Sequence, residues 1–297
     1  MRVEDEAAYV LEARPYRETS LLIEALTAEH GRIALVARGV RGEGRRQTLR
    51  RAALEPFRRL RIAFSGRGEV LSLSSAEAEG APLHPVGTAL FAALYVNELL
   101  QKLTGRGDPS PALFDRYAVW LSDLAFCLLD QNRRAAHDVA DDSYESAERS
   151  AFRDQDAALA WALRRFERDL LGLLGYALAL DYDSDSGEPL DAEADYAFDP
   201  EHGARPWSDN SPWPRVKGST LAAWAKDDQP SPEDASALKQ LARQVIRHHL
   251  GGAELRAWRL ASDWRWKSSW RAGIAGTWGK ASERAGPRVH PGEVIPP

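Results

Sequence analysis

Five short β-compatible runs before residue 80, helical periodicity after Pro85, and an arginine-rich stretch inside the β half predict an α+β protein. The expected architecture is an N-terminal five-stranded barrel of the OB type followed by an all-helical, zinc-free domain. The 297 residues, 44% of them hydrophobic, suit about two cores. The expected division is a barrel over 1–80, a helical domain over 81–262 and a Trp- and Arg-rich tail over 263–297.

The β runs are Ala8–Arg14, Ser20–Thr27, Arg32–Arg38, Pro56–Phe64 and Glu69–Ser75. Ala28-Glu-His-Gly31 reads as a tight turn, with Gly31 free to take positive φ, and Gly66-Arg-Gly68 punctuates the last two runs. Short strands with tight hairpins favour a small closed barrel. Gly39–Ala53 is too polar for core and reads as a mobile loop rich in Arg and Gly.

Beyond Pro85, Leu90, Leu94, Asn97 and Leu100 recur at helical spacing, as do Leu113, Tyr117, Trp120 and Leu124. A third helix is expected over Asp156–Leu174, with the stripe Leu159, Leu163, Phe166, Leu170 and Leu174, and Gly175 stops it. The last starts at Ser231-Pro232, a cap followed by proline in the first turn, buries Leu238, Leu241, Val245 and Ile246, and ends at Gly251-Gly252. Leu128–Gln155 is polar and acid-rich without periodicity, so a flexible insertion is expected; disorder is expected after Asp263.

The charge is concentrated. The chain is formally −5, yet between Arg32 and Arg67 eleven arginines face two acids, Glu43 and Glu55, a local +9 without a lysine. Such a field calls for an anionic partner, and phosphate backbones suit the planar guanidinium fork. A solvated basic loop is the plain alternative. Cys127 is the only cysteine, which excludes an intrachain disulfide and a multi-cysteine zinc site. The start carries no signal-peptide pattern, and no apolar run approaches the ~18 residues a membrane helix needs, so a cytoplasmic, nucleoid-associated protein is expected. P-loop, GxSxG and HExxH patterns are absent, and with them the usual marks of an enzyme or a bound cofactor.

Arg14-Pro-Tyr-Arg-Glu-Thr-Ser20, His30-Gly-Arg32, Val36-Ala-Arg-Gly39, Pro56-Phe57 and Gly66-Arg-Gly-Glu69 together resemble the start of the RecO family of recombination mediators. Tyr95-Val-Asn-Glu-Leu-Leu100, Leu163-Arg-Arg-Phe-Glu167, Leu173-Leu-Gly-Tyr176, Ser186-Gly-Glu-Pro189 and His249-Leu-Gly-Gly252 continue the likeness in order. The resemblance implies binding of single- and double-stranded DNA, annealing of complementary strands, and help in loading the recombinase RecA. It also implies two protein partners, RecR and the acidic C-terminal tail of the single-strand-binding protein. Many members hold zinc with four cysteines; here that place reads Asp181-Tyr-Asp-Ser-Asp-Ser-Gly187, so no metal is expected. A plain OB-type nucleic-acid binder, for RNA among others, is the alternative.

The DNA-binding candidates are Arg32, Arg38, Arg41, Arg45, Arg46, Arg50, Arg51 and Arg67, with Tyr16 as the stacking ring. Tyr9, Tyr16, Phe57 and Phe64 are the only aromatics before Leu83, so electrostatics should dominate and double strands should bind nearly as well as single ones. Neutralising about five phosphates on a single strand gives a log–log salt slope near −3.5. Arg164, Arg165, Arg256 and Arg259 are candidates for a basic rim beside an apolar groove that takes the acidic tail. An intrahelical pair of Arg165 with Asp169 is the plain alternative. Asp181-x-Asp183-x-Asp185 lacks the later positions of a calcium loop and reads as a polar turn. His248-His249 and Cys127 read as structural.

Overall fold

The computed structural model describes residues 1–42, 44–137 and 144–260, with backbone alone at 130–137, 144–156 and 232. Strands β1 (Arg2–Tyr16), β2 (Ser20–Thr27), β3 (Gly31–Ala37), β4 (Arg59–Ser65) and β5 (Val70–Glu79) close a barrel in the order β1-β2-β3-β5-β4. All neighbours are antiparallel except β3 and β5, which run parallel through Ala34↔Val70 to Val36↔Ser72. Alternation sorts each strand: Ala8, Val10, Ile23, Leu35, Ile62 and Phe64 fill the interior.

Gly39–Ala53 is not the irregular loop that its polarity suggests. Helix α1 (Arg45–Ala53) occupies its second half. Arginine, glutamine, leucine and alanine are all good helix formers, and that propensity overrides the lack of an apolar stripe. None of its residues is buried, and Leu49 is 63% exposed. Val40 and Leu54, on either side, enter the barrel core and pin its ends.

The second half is built on α2 (Gly87–Leu103), α3 (Pro111–His137), α4 (Tyr144–Leu173), α5 (Gly218–Lys226) and α6 (Pro232–His249). Gly175 takes positive φ after α4, and the Tyr176 N–H reaches back to the Leu171 carbonyl. The Ser231 hydroxyl caps α6 by accepting the Asp234 N–H. The expected flexible insertion at Leu128–Gln155 is instead helix up to His137 and again from Tyr144; residues 138–143 lie outside the description. Its Ala, Glu, Arg and Gln content favours helix even where no apolar stripe exists. The periodicity also did not predict a small sheet, β7-β6-β8, from β6 (Asp195–Asp199), β7 (Gly203–Pro206) and β8 (Arg215–Lys217). In the preceding turn, Asp183 Oδ1 accepts the N–H groups of Asp185 and Ser186, the polar turn expected there.

The two halves share one apolar core. Ala7, Tyr9 and Leu11 face outward from β1 and pack with Phe114, Tyr117 and Leu100. Strand β1 is therefore buried on both faces from Glu6 to Leu11. A bulge at Leu11 breaks the β1–β2 register, and the Asn97 side chain donates to the Leu11 carbonyl at 2.8 Å. A second seam lies at the start of β3. Arg32 bonds Glu24 (2.9 Å) and both oxygens of Thr104 (2.8 and 3.2 Å), while Arg106 pairs with the other Glu24 oxygen. Gly31, at φ +64°, lets the Asp108 carbonyl approach to where any Cβ would clash.

Candidate nucleic-acid interface

The barrel sorts the eleven arginines of the basic window. Arg58 donates to the Gly80 carbonyl, Arg59 pairs with Glu79 at 3.0 Å, and Arg61 pairs with Asp5. Arg32 was expected on DNA, but its side chain is only 12% exposed and clamps the helical half to the barrel. Each of its three guanidinium nitrogens already bonds Glu24 or Thr104, so its first role in the structure is this clamp. Arg38, Arg41, Arg45, Arg46, Arg50, Arg51 and Arg67 remain exposed, with no carboxylate partner recorded among the described residues.

Six of these seven gather at one end of the barrel. The N–H groups of Val40 and Arg41 donate to the Thr19 carbonyl, tying the exit of β3 to the β1–β2 hairpin, and the Arg41 guanidinium donates to Arg17 O at 3.1 Å. Helix α1 begins four residues after Arg41 and carries Arg45 and Arg46 in its first turn, with no side-chain cap and no acid there. Open N–H groups and the positive end of the helix dipole add to those guanidinium charges. An anion such as a phosphate suits a helix start of this kind. Arg14 and Arg17, also exposed, extend the patch. The sequence signal for them was their place on either side of Tyr16 at a strand end.

Of the four aromatics, Tyr9, Phe57 and Phe64 are buried. Tyr16 is half-buried, and the Arg17 guanidinium lies over its ring at 5.2 Å from the centroid. A base could stack there only by displacing or sandwiching that guanidinium. What this end of the barrel exposes is therefore charge rather than rings.

A second candidate surface is a groove of about 420 Å³ between α2, α4, α6 and the short helical segment 256–260 that carries Trp258. Phe91, Tyr95, Leu163 and Trp258 line it, and Arg164, Lys239 and Arg243 stand on its wall. Arg164 bonds Glu167 at 2.7 Å, and Glu167, 1% exposed, also accepts from the Tyr95 hydroxyl. Burial raises the Glu167 pKa, against the pull of Arg164 and Tyr95. Arg165 does not line the groove. It pairs with Asp227 at 2.9 Å rather than with Asp169, which Arg116 and Arg168 already hold. Arg256 and Arg259 are exposed beside the groove without lining it. Sequence reasoning missed Lys239 and Arg243; the available signal was two cations at i,i+4 spacing beside the apolar stripe of α6.

A closed OB-type barrel with an unbalanced arginine surface, joined to a helical domain with a cation-rimmed groove, defines an OB-class nucleic-acid-binding protein. Residues 1–81 match the family model "Recombination protein O N terminal", and residues 150–259 match "Recombination protein O C terminal". The DNA repair protein RecO of Xanthomonas oryzae pv. oryzae (strain PXO99A) is 40% identical over 267 residues, 89% of this chain and 98% of its own. The RecO of Stenotrophomonas maltophilia (strain K279a) is 39% identical over 263 residues, 88% of this chain and 97% of its own. The chain belongs to the RecO family of DNA-repair proteins. Among the described residues no helix is long and apolar enough to cross a membrane.

Proposed function

We propose that this protein is a non-enzymatic recombination mediator of the cytoplasm and nucleoid. It binds single- and double-stranded DNA through phosphates, anneals complementary strands, and helps load RecA on strands coated by single-strand-binding protein, in concert with RecR. The observation that carries the reading is the arginine surface of α1 and the adjoining loop, which no carboxylate among the described residues pairs with. Neutralising two backbones lowers their mutual repulsion, and base pairing drives annealing without a catalytic group. The test is annealing of complementary strands coated with single-strand-binding protein. A rate above that of the coated strands alone is expected. No acceleration, alongside retained DNA or RNA binding, would leave only a plain OB-type binder.

The groove fits the acidic tail of the single-strand-binding protein. An aromatic or aliphatic end would enter between Phe91 and Trp258, with its carboxylates on Lys239 and Arg243. Reversing both charges (Lys239→Glu with Arg243→Glu) is expected to weaken an acidic peptide ending in phenylalanine by about 10- to 100-fold, read by fluorescence anisotropy, from the loss of charge-assisted bonds. Affinity for free DNA should stay unchanged. Equal loss of both would mean that the groove is part of the DNA surface.

A further inference from the structure

The arginine window is one block in sequence, but the barrel splits it into two surfaces. Arg38 and the arginines of α1 lie at the exit of β3, whereas Arg67 sits in the β4–β5 hairpin beside its start. Six residue steps along β3 and its exit separate Arg32 from Arg38, roughly 20 Å at strand rise. Ile33, Leu35 and Ala37 point into the barrel, so Ala34 and Val36 occupy the outer face between the two ends. On the neighbouring strand that face carries Leu22 and Glu24, the latter held by two arginines. No cation bridges the gap along these two strands.

Around Arg67 lies an open cleft of about 800 Å³, between the hairpin Gly66–Glu69 and the segment Arg106–Pro109, with His30 and Arg32 in its wall. Arg67 has no recorded partner among the described residues, and Arg106 and Arg32 share one carboxylate, leaving that triad net positive. Glu69 is the opposing acid in the wall, and the buried Glu6 is engaged by His30 at 2.6 Å. Met1, Ile33, Leu71, Pro109 and three glycines complete the lining, and His30 is the one ring in it. That chemistry grips phosphates and offers bases no ring beyond the imidazole of His30, which Glu6 holds.

We propose that this cleft is a second DNA site, holding the backbone of a second strand while α1 and its loop hold the first. One molecule would then carry two strands at opposite ends of one barrel. The inference rests on the DNA-binding reading above and adds the second surface to it.

The test is a bridging assay on the full chain. One oligonucleotide is fixed to a bead, and a labelled, non-complementary one is offered with protein limiting. The wild type should recruit the second strand. Arg67→Glu is expected to cut recruitment by about tenfold or more while holding the first-strand affinity within about twofold, because it removes one local phosphate contact and adds a repulsion. Arg106→Gln should act in the same direction, with a thermal melt to show that the Glu24 seam survives. Mixing the Arg67→Glu chain with one lacking the α1 arginines should not restore bridging. Wild-type recruitment by Arg67→Glu, or restoration by the mixture, would overturn the proposal; the second outcome would mean that two copies bridge. If Arg67→Glu bridges normally but loses a polyglutamate peptide bound by the wild type, the cleft docks acidic protein instead. If the wild type binds no DNA, the DNA-binding reading itself falls. If it binds a first strand and recruits no second, only this inference falls.

Discussion

Replacing Arg45, Arg46, Arg50 and Arg51 by alanine is expected to lower affinity for single-stranded DNA by two to three orders of magnitude at about 0.1 M salt. Four lost phosphate contacts at ~0.7 counterions each give that figure, and the log–log salt slope should flatten by about 2.8. The loss should be uniform across sequences, since these side chains have no fixed geometry for reading base edges. The fold should tolerate the change. No residue of α1 is buried, the pinning residues Val40 and Leu54 are untouched, and alanine is the best helix former. Filter binding or anisotropy at four or five salt concentrations measures both quantities. An unchanged slope would move the main contact to the basic stretch after Ser262, where Arg265, Lys267, Arg271 and Lys280 interleave with Trp264, Trp266, Trp270 and Trp278. Truncation at Ser262 would then remove the binding that the α1 variant retained.

Asn97→Leu should destabilise the protein by about 2–5 kcal/mol, although it looks harmless beside Leu90, Leu94 and Leu100. Asn97 is buried and bonds in two directions. Its Nδ2 donates to the Leu11 carbonyl at 2.8 Å, and its Oδ1 accepts from the Tyr117 hydroxyl at 2.6 Å. Leucine would leave both groups buried without partners, at roughly 1–3 kcal/mol each. Both lie where the halves meet, one on β1 and one on α3, so the seam should loosen as well. For a chain of this size the midpoint of thermal unfolding should fall by about 5–15 °C. Asn97→Asp with Tyr117→Phe would tell the two bonds apart. A melting point equal to the wild type in Asn97→Leu would mean that water satisfies the bulge carbonyl.

Much of the fold was legible because it depends on local pattern. The five strands announce themselves by alternation and by the glycines of their turns. Helix α6 announces itself by Ser231-Pro232 and its stripe. Helix α1 was misread because polarity outweighed helix propensity where no apolar stripe guided the eye. The strands β6 to β8 were missed because three to five residues, broken by Pro and Asp, carry too short a pattern. Asn97 fell on the right face of the right helix, yet the spacing could not say that a β-bulge some 86 residues earlier needed its amide.

The sequence by itself determined that the barrel half is strongly basic, that this charge is carried by arginine, and that few rings accompany it. Those are properties of composition along a short stretch, and no fold can change them. Only the tertiary structure decided which guanidinium groups are available to a ligand. Arg32, Arg58, Arg59 and Arg61 are taken by Glu24, Gly80, Glu79 and Asp5, partners between 8 and 56 residues away. Arg165 is drawn to Asp227 in the same way. Charge is additive along a chain, whereas its neutralisation depends on distances that only folding sets.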